Sequence, residues 1–153
     1  MNYAHLHLIL NHIPIIAFPL ATAFLLFAFV KKNQQMKKFS LVMVILIGLL
    51  TLPVYYTGEP AEEAIEDFPG VTEAVISPHE EMAEKALIIS LIAAAFAVSA
   101  LVIVQNEKRN QQLVGATLAV AVFGSMALGY TSYLGVQIRH TEARQPLFKP
   151  VNK

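Results

Sequence analysis

Four long apolar runs without a single charged residue dominate this sequence of 153 residues. They extend over 13–30, 39–56, 86–104 and 113–136. A helix that crosses a hydrocarbon core of about 30 Å needs roughly 20 apolar residues, so each run is long enough to span a bilayer. Lipid offers the backbone no hydrogen-bond partners, and we therefore expect each run to be an α-helix.

The composition supports a membrane protein. Apolar side chains make up 56% of the residues and charged ones 14%, with a mean hydropathy of +0.55, which lies outside the range of soluble domains. We predict an all-α integral membrane four-helix bundle forming a single domain over 1–153. The predicted spans are 13–30, 39–57, 78–105 and 113–137, with an outer loop over 58–77 and an outer C-terminal tail over 138–153.

The basic residues are distributed unevenly among the connections. Segments 31–38 and 105–112 carry six of the eleven Lys and Arg residues, whereas 58–85 carries only Lys85. By the positive-inside rule the two basic segments are cytoplasmic, which places both termini and the middle segment outside. The basic residues of the C-terminal tail argue the other way, but most of them lie well beyond the membrane end.

The histidines and most acidic residues fall on that outer side. The histidines are His5, His7, His12, His79 and His140. Nine of the eleven acidic residues lie in the middle segment: Glu59, Glu62, Glu63, Glu66, Asp67, Glu73, Glu80, Glu81 and Glu84. Residues far apart in sequence are therefore predicted to share one layer.

Local signals predict where the helices begin. Asn11 is a good N-cap for the first span, and Pro14 would then lie in the first turn, where little hydrogen bonding is lost. If the chain before Asn11 is also helical, His5 and His12 share a face and His7 points elsewhere. Ser77-Pro78-His79-Glu80 has the pattern of a capping box, which predicts that the third span begins near Pro78. Pro60 opens a short helical stretch in the acidic outer loop.

The last span is rich in small residues: Gly115, Gly124, Ser125, Gly129 and Gly135. Small residues let transmembrane backbones approach closely, so we expect this helix to be the most buried. Gly129, Tyr133, Val136 and His140 share one helical stripe. This stripe either belongs to an interfacial aromatic belt or lines a cavity beneath His140.

Several of these positions resemble a widespread, uncharacterised bacterial family of four-helix membrane domains. That family has a His-Pro and a Phe-Pro in its first helix, a Thr-Gly closing the second, a His opening the third, and Gly, Tyr and Gly-Val in the fourth. The matching residues are Pro14, Phe18, Pro19, Thr57, Gly58, His79, Gly129, Tyr133, Gly135 and Val136. The sequence departs from the pattern at Ile13 and Ala17, where the family has histidines. The resemblance implies the four-helix fold and its topology but brings no settled activity.

The absence of cysteine excludes disulfides, iron–sulfur clusters and thiolate ligands. Four-helix bundles hold cofactors between facing helices, and haem iron accepts two His ligands or His with Met. We therefore expect a subunit that carries electrons through a b-type haem at the outer, periplasmic face of a bacterial inner membrane. The expected ligands are His12 and His79, with His140 or Met82 as substitutes. Glu80, Glu81 or Tyr133 would orient an imidazole.

Two other functions stay open. One is a non-catalytic accessory or assembly subunit of a larger membrane complex. The other is a divalent-metal-binding protein that uses His12, His79, Glu59 and Glu80. No hydrolase or phosphate-binding motif is present, so an electron carrier or accessory subunit is expected rather than a stand-alone enzyme. The expected partners are membrane lipid, other membrane subunits, a second copy or a periplasmic redox protein, and no nucleic acid.

Overall fold

A computed structural model describes residues 2–144 as a bundle of four long helices with one short helix at its end. The helices are α1 (Tyr3–Val30), α2 (Gln34–Tyr56), α3 (Gly58–Glu63), α4 (Glu73–Val102) and α5 (Glu107–Arg139), followed by a 3-10 turn over Thr141–Arg144. Helices α1, α2, α4 and α5 are each long and apolar enough to cross a membrane. The predicted all-α fold with four apolar helices is therefore confirmed.

The long helices run alternately up and down. Around the bundle the order is α1, α2, α4 and α5, and α5 packs back against α1. We use two names for the ends of the bundle. The acidic end holds α3, the first turns of α1 and α4, and the last turns of α2 and α5. The basic end holds the two short connections, 31–33 and 103–106.

The core combines a few large side chains with many small ones. Phe18 and Leu25 of α1 and Val44 of α2 are fully buried, and α4 contributes a series of buried alanines. Small residues permit close helix contact: a Cβ atom added to Gly48 of α2 would lie 2.9 Å from the backbone oxygen of Ser90 in α4. Each long helix buries the same share, 33%, of its most apolar stretch. The expectation that α5 is the most buried helix is therefore wrong.

The predicted start of α1 at Asn11 is wrong. Asn2 is the N-cap, and its side-chain oxygen accepts a hydrogen bond from the backbone N–H of His5 at 3.0 Å. The helix begins at Tyr3 because this earlier cap is available and because the added turns pack against α3. Pro14 consequently lies inside the helix.

The predicted capping box at Ser77 is also wrong. Helix α4 begins at Glu73, and the carbonyl oxygen of Thr72 accepts hydrogen bonds from the N–H groups of Val75 and Ile76. Ile76 is buried, so tertiary packing stabilises the additional turn. Helices α2 and α5 also begin earlier than their apolar runs, at N-caps Asn33 and Asn106. Of the predicted tail over 138–153, residues 145–153 lie outside the described part of the chain.

Candidate functional site

A cavity of about 1210 Å³ opens at the acidic end between the four long helices and α3. Its wall follows α5 from Leu128 to the C-cap residue His140. These positions are twelve steps apart, which corresponds to a depth of about 18 Å at 1.5 Å per residue. The rim carries charged side chains, including Glu59 and Arg139. The floor is mainly apolar and includes Ala86 and Leu128, which belong to the core. The cavity thus passes from a charged mouth to an apolar base.

His7 of α1 lies half-buried in the cavity wall. Its Nδ1 atom is 3.1 Å from Oγ1 of Thr57, the residue that follows α2. The Thr57 hydroxyl donates its own hydrogen to the carbonyl oxygen of Val54 at 2.8 Å, so toward His7 it acts as an acceptor. With that hydrogen donated to Val54, the Thr57 oxygen accepts from Nδ1 of His7, and the Val54 carbonyl is a second acceptor for the ring.

His79 of α4 is also half-buried in the cavity wall. Its Nδ1 atom donates to the carbonyl oxygen of Thr131 on α5 at 3.0 Å, since a carbonyl can only accept. Gly135, one turn further along α5, makes room for the ring. A Cβ atom at Gly135 would lie 3.0 Å from Cε1 of His79. Helix α5 therefore both orients His79 and provides the space for it.

His7 and His79 are close enough to interact electrostatically. Each has its Nδ1 atom within hydrogen-bonding distance of an oxygen from a neighbouring segment, Thr57 for His7 and Thr131 for His79. Metal-ligating histidines typically have this arrangement, with one ring nitrogen anchored to an oxygen acceptor and the other free to bind. The cavity therefore brings together two imidazoles that are oriented as ligands.

One turn below His7, Asn11 also lines the cavity. Its Oδ1 atom is buried and has no hydrogen-bond partner within the protein. His7, Asn11, Pro14 and Phe18 follow one another at helical spacing and form the inner stripe of α1. An unpaired buried amide is costly, so a bound molecule that satisfies it would gain affinity.

Two carboxyl groups meet above the histidines. Glu62 of α3 forms a side-chain hydrogen bond with Glu80 of α4. Burial, this hydrogen bond and the negative charges of Glu80, Glu73 and Glu66 raise the pKa of Glu62 to about 7. Below about pH 7 the protonated Glu62 therefore links α3 to α4 by this hydrogen bond at the cavity rim.

The predicted histidine ligands differ in their burial at the cavity. His79 lines the cavity, as does His7, which the sequence analysis did not select. His12 is exposed at the rim, and its Nδ1 atom hydrogen bonds to the carbonyl oxygen of Leu8 in its own helix. His140 is exposed at the rim as the C-cap of α5. All five histidines line the cavity, and His7 and His79 are the two that are half-buried.

Met82 and Tyr133 lie outside the cavity wall. Met82 packs against the apolar core, and Tyr133 is 52% exposed and stacks on Tyr130 with the ring centroids 6.1 Å apart. Tyr133 therefore does not line a cavity beneath His140, and its position suits the interfacial belt of a membrane protein.

The acidic residues expected to bind a divalent metal do not form a ligand cluster with the histidines. Glu59 and Glu80 are exposed at the rim. Within residues 2–144, no group of three or more His, Asp or Glu side chains is arranged to hold a metal ion. The described side chains thus bring two half-buried imidazoles to this site without a third His, Asp or Glu arranged to share a metal ion with them.

A signal for His7 was present in the sequence. Thr57 and Gly58, which match the resemblance at the end of α2, both approach its ring: Thr57 accepts its hydrogen bond, and a Cβ atom at Gly58 would lie 3.8 Å from Cε1. His79 and Gly135, two other matching positions, contact each other. The motif positions at the ends of three helices therefore converge on one pair of imidazoles.

No family model matches the chain, and neither a curated protein nor a solved structure shows significant similarity to it.

Proposed function

We propose that this protein is an electron-transfer subunit of a bacterial inner membrane that would hold a b-type haem at its acidic end through His7 and His79. The observation that carries the proposal is that the two imidazoles have the same burial and the same kind of hydrogen-bond partner. Each ring is half-buried in the same cavity wall and has Nδ1 hydrogen bonded to an oxygen of a neighbouring segment.

The donor set fits a haem better than a bare metal ion. Haem iron accepts two protein imidazoles as ligands, and His7 and His79 would provide them. A cavity of about 1210 Å³ exceeds the volume of roughly 300–1,000 Å³ that is typical of cofactor sites. Arg139 lines the mouth and provides a positive charge that suits a ligand carrying carboxylates. When bound, the haem would supply a one-electron redox couple.

The residues of the chain would position the ligands and control the surroundings of the site. Thr57 and the Thr131 carbonyl fix the orientation of the two rings, and Gly135 leaves room for His79. The apolar floor keeps water from the lower part of the cavity, and lower polarity around a haem alters its reduction potential.

The orientation in the membrane is part of the proposal. The basic end carries Lys31 and Lys32 in its first connection and Lys108 and Arg109 in the first turn of α5, and the positive-inside rule assigns such basic segments to the cytoplasm. The acidic end and its cavity would then face the periplasm. A soluble redox protein with a basic surface would be attracted to the carboxylates at that end, with an association rate that falls as salt increases.

The test is an absorption spectrum of protein purified in detergent after expression with haem supplied. We expect a Soret band that shifts on reduction with dithionite and low-spin features typical of two axial imidazoles. His7→Ala and His79→Ala should each lose most of the bound haem. His12→Ala, a histidine on the same helix with an exposed ring, is the matched control and should bind haem as the wild type does.

Other results would contradict the proposal. If wild-type protein with a normal helical circular dichroism spectrum takes up no haem, the site serves another purpose, and copurifying membrane proteins would then favour the accessory subunit. If His12→Ala loses the haem and His7→Ala keeps it, the ligand assignment is wrong although the function stands.

A further inference from the structure

The lower half of the cavity has features that two axial ligands do not explain. Asn11 lies four residues after His7 on the same stripe of α1, about 6 Å closer to the floor. Its buried Oδ1 atom has no partner in the protein. The proposed role of His7 and His79 as ligands assigns no partner to this amide.

The surroundings of Asn11 are apolar. Pro14 and Ile15 follow it on α1, and Leu87 of α4 and Leu128 of α5 line the same cavity. Thr51 of α2 also reaches the floor, but its hydroxyl donates to the carbonyl oxygen of Gly48 at 2.6 Å. An apolar pocket with one unpaired amide suits a flat apolar ring that carries a small polar substituent.

The chemistry of an amide narrows the class of ring. A side-chain amide offers an acceptor on one side and two donors on the other, and a half-turn of its terminal group exchanges the two. A quinol presents hydroxyl donors, and the quinone formed from it presents carbonyl acceptors in the same positions. One asparagine can therefore hydrogen bond to both forms.

The position of the cavity floor along the helices suits a ligand that enters from the bilayer. Ala86, a floor residue, directly follows Lys85, the last charged residue of α4 before the basic end. The floor thus lies at the level where the uncharged, lipid-crossing part of the bundle begins. The cavity volume also exceeds what one small molecule typically needs.

From these observations we infer that the floor of the cavity is a binding site for the head group of a membrane quinol or quinone, with Asn11 as its hydrogen-bonding residue. The inference names a substrate class for the proposed electron-transfer function and rests on it for its physiological meaning. Binding itself depends only on Asn11 and the apolar floor.

The experiment is isothermal titration calorimetry of detergent-purified protein with a short-chain, water-dispersible benzoquinol and with its dimethyl ether. The ether keeps the ring and the tail but lacks hydroxyl donors. We expect the wild type to bind the quinol at least tenfold more tightly than the ether. Asn11→Leu should lose this preference and bind both weakly, whereas His12→Leu, the control at an exposed position of α1, should retain it.

Three outcomes would overturn the inference: no saturable binding of the quinol to wild-type protein, equal binding of quinol and ether, or an unchanged preference in Asn11→Leu. Equal binding would indicate a site for apolar rings or lipid chains in general. The comparison of two ligands on wild-type protein does not depend on whether Asn11→Leu folds. Haem content is read separately from the spectrum, so failure of quinol binding and failure of haem binding are distinguishable.

Discussion

At the scale of single residues, the site depends on oxygen atoms that orient two rings. An imidazole can carry its hydrogen on either nitrogen, and the partner of one nitrogen decides what the other can do. Thr57 is suited to orient His7 because its hydroxyl hydrogen is already used on Val54. Its oxygen is then left as an acceptor.

We expect Thr57→Val to weaken haem binding by roughly 10- to 100-fold, the usual effect of removing a partner of a metal-ligating histidine. Valine keeps the volume and loses the acceptor, so His7 would lose this hydrogen bond. Thr57→Ser keeps the hydroxyl and should restore binding. The measurement is haem titration followed at the Soret band, with the reduction potential as a second readout. Equal affinity in wild type and Thr57→Val would show that Thr57 does not position His7.

At the scale of elements, glycines and carboxylates decide how the helices meet. Gly48 allows α2 to approach the backbone of α4 near Ser90, and Gly124 allows α5 to approach the ring of Phe18. A Cβ atom added at Gly115 or Gly129 would have no neighbour within 4 Å, although these glycines look no different from Gly124 in the sequence. A glycine in a membrane helix is therefore a helix contact only where a neighbour lies opposite it.

We expect Gly48→Ala to destabilise the bundle by about 1–3 kcal/mol, the usual cost of overpacking a core. The new methyl group would lie 2.9 Å from the Ser90 carbonyl oxygen, and a backbone atom cannot move aside without shifting the helix. Gly115→Ala is the control, because it adds the same methyl group where nothing lies within 4 Å. Unfolding in mixed micelles of detergent and denaturant measures both. Equal stability of the two variants would refute the close contact.

The carboxyl pair between α3 and α4 makes the stability of the acidic end depend on pH. Because its pKa rises from 4.5 to about 7 on folding, Glu62 holds its proton more tightly in the folded state. Its contribution to stability is complete below about pH 4.5 and is lost as the pH rises through about 7. Glu62→Gln cannot ionise, and it should flatten the dependence of the melting temperature on pH between 4.5 and 8.

The control for this prediction is Glu63→Gln, which removes a neighbouring but exposed carboxylate of α3. It should leave the slope of the wild type in place. Melting is followed by circular dichroism in detergent at constant ionic strength. A slope in Glu62→Gln that equals the wild-type slope would assign the pH dependence to other groups.

At the scale of the whole molecule, charge is segregated between the two ends of the bundle. The acidic end carries nine of the eleven acidic residues within 58–85, and the two connections of the basic end belong to segments with six of the eleven basic ones. Because the helices alternate in direction, every histidine falls at the acidic end. In the proposed orientation, the segregation that directs the basic end to the cytoplasm also places the cavity on the opposite side of the membrane.

This orientation can be tested directly, because the native chain contains no cysteine. Glu63→Cys places a single thiol at the acidic end, and Gln35→Cys places one at the basic end. In intact spheroplasts we expect a membrane-impermeant maleimide to label only Glu63→Cys. Both variants should be labelled after the membrane is permeabilised. Labelling of Gln35→Cys alone in intact spheroplasts would reverse the orientation.

Much of the fold was predictable because the signals are local. Four uncharged apolar runs of about 20 residues predict four helices, since the backbone must satisfy its own hydrogen bonds in lipid. The helix starts were predicted less well. Asn11 and Ser77 both have the local chemistry of an N-cap, yet Asn2 and Thr72 begin the helices. Packing of the added turns against α3 and in the core outweighs a good local cap.

The sequence by itself determined the number of helices, their apolar character and the end of the bundle at which the histidines and carboxylates collect, because hydrophobicity and charge act through composition and length. Only the tertiary structure decided which histidines are half-buried in the cavity wall. Neighbouring positions on a helix differ by about 100° in direction, so the choice between His7 and His12 depends on where α1 packs. Packing turned His7 and Asn11 inward and left His12 exposed. It also placed Thr57, Thr131 and Gly135, from two other helices, where they orient the imidazoles.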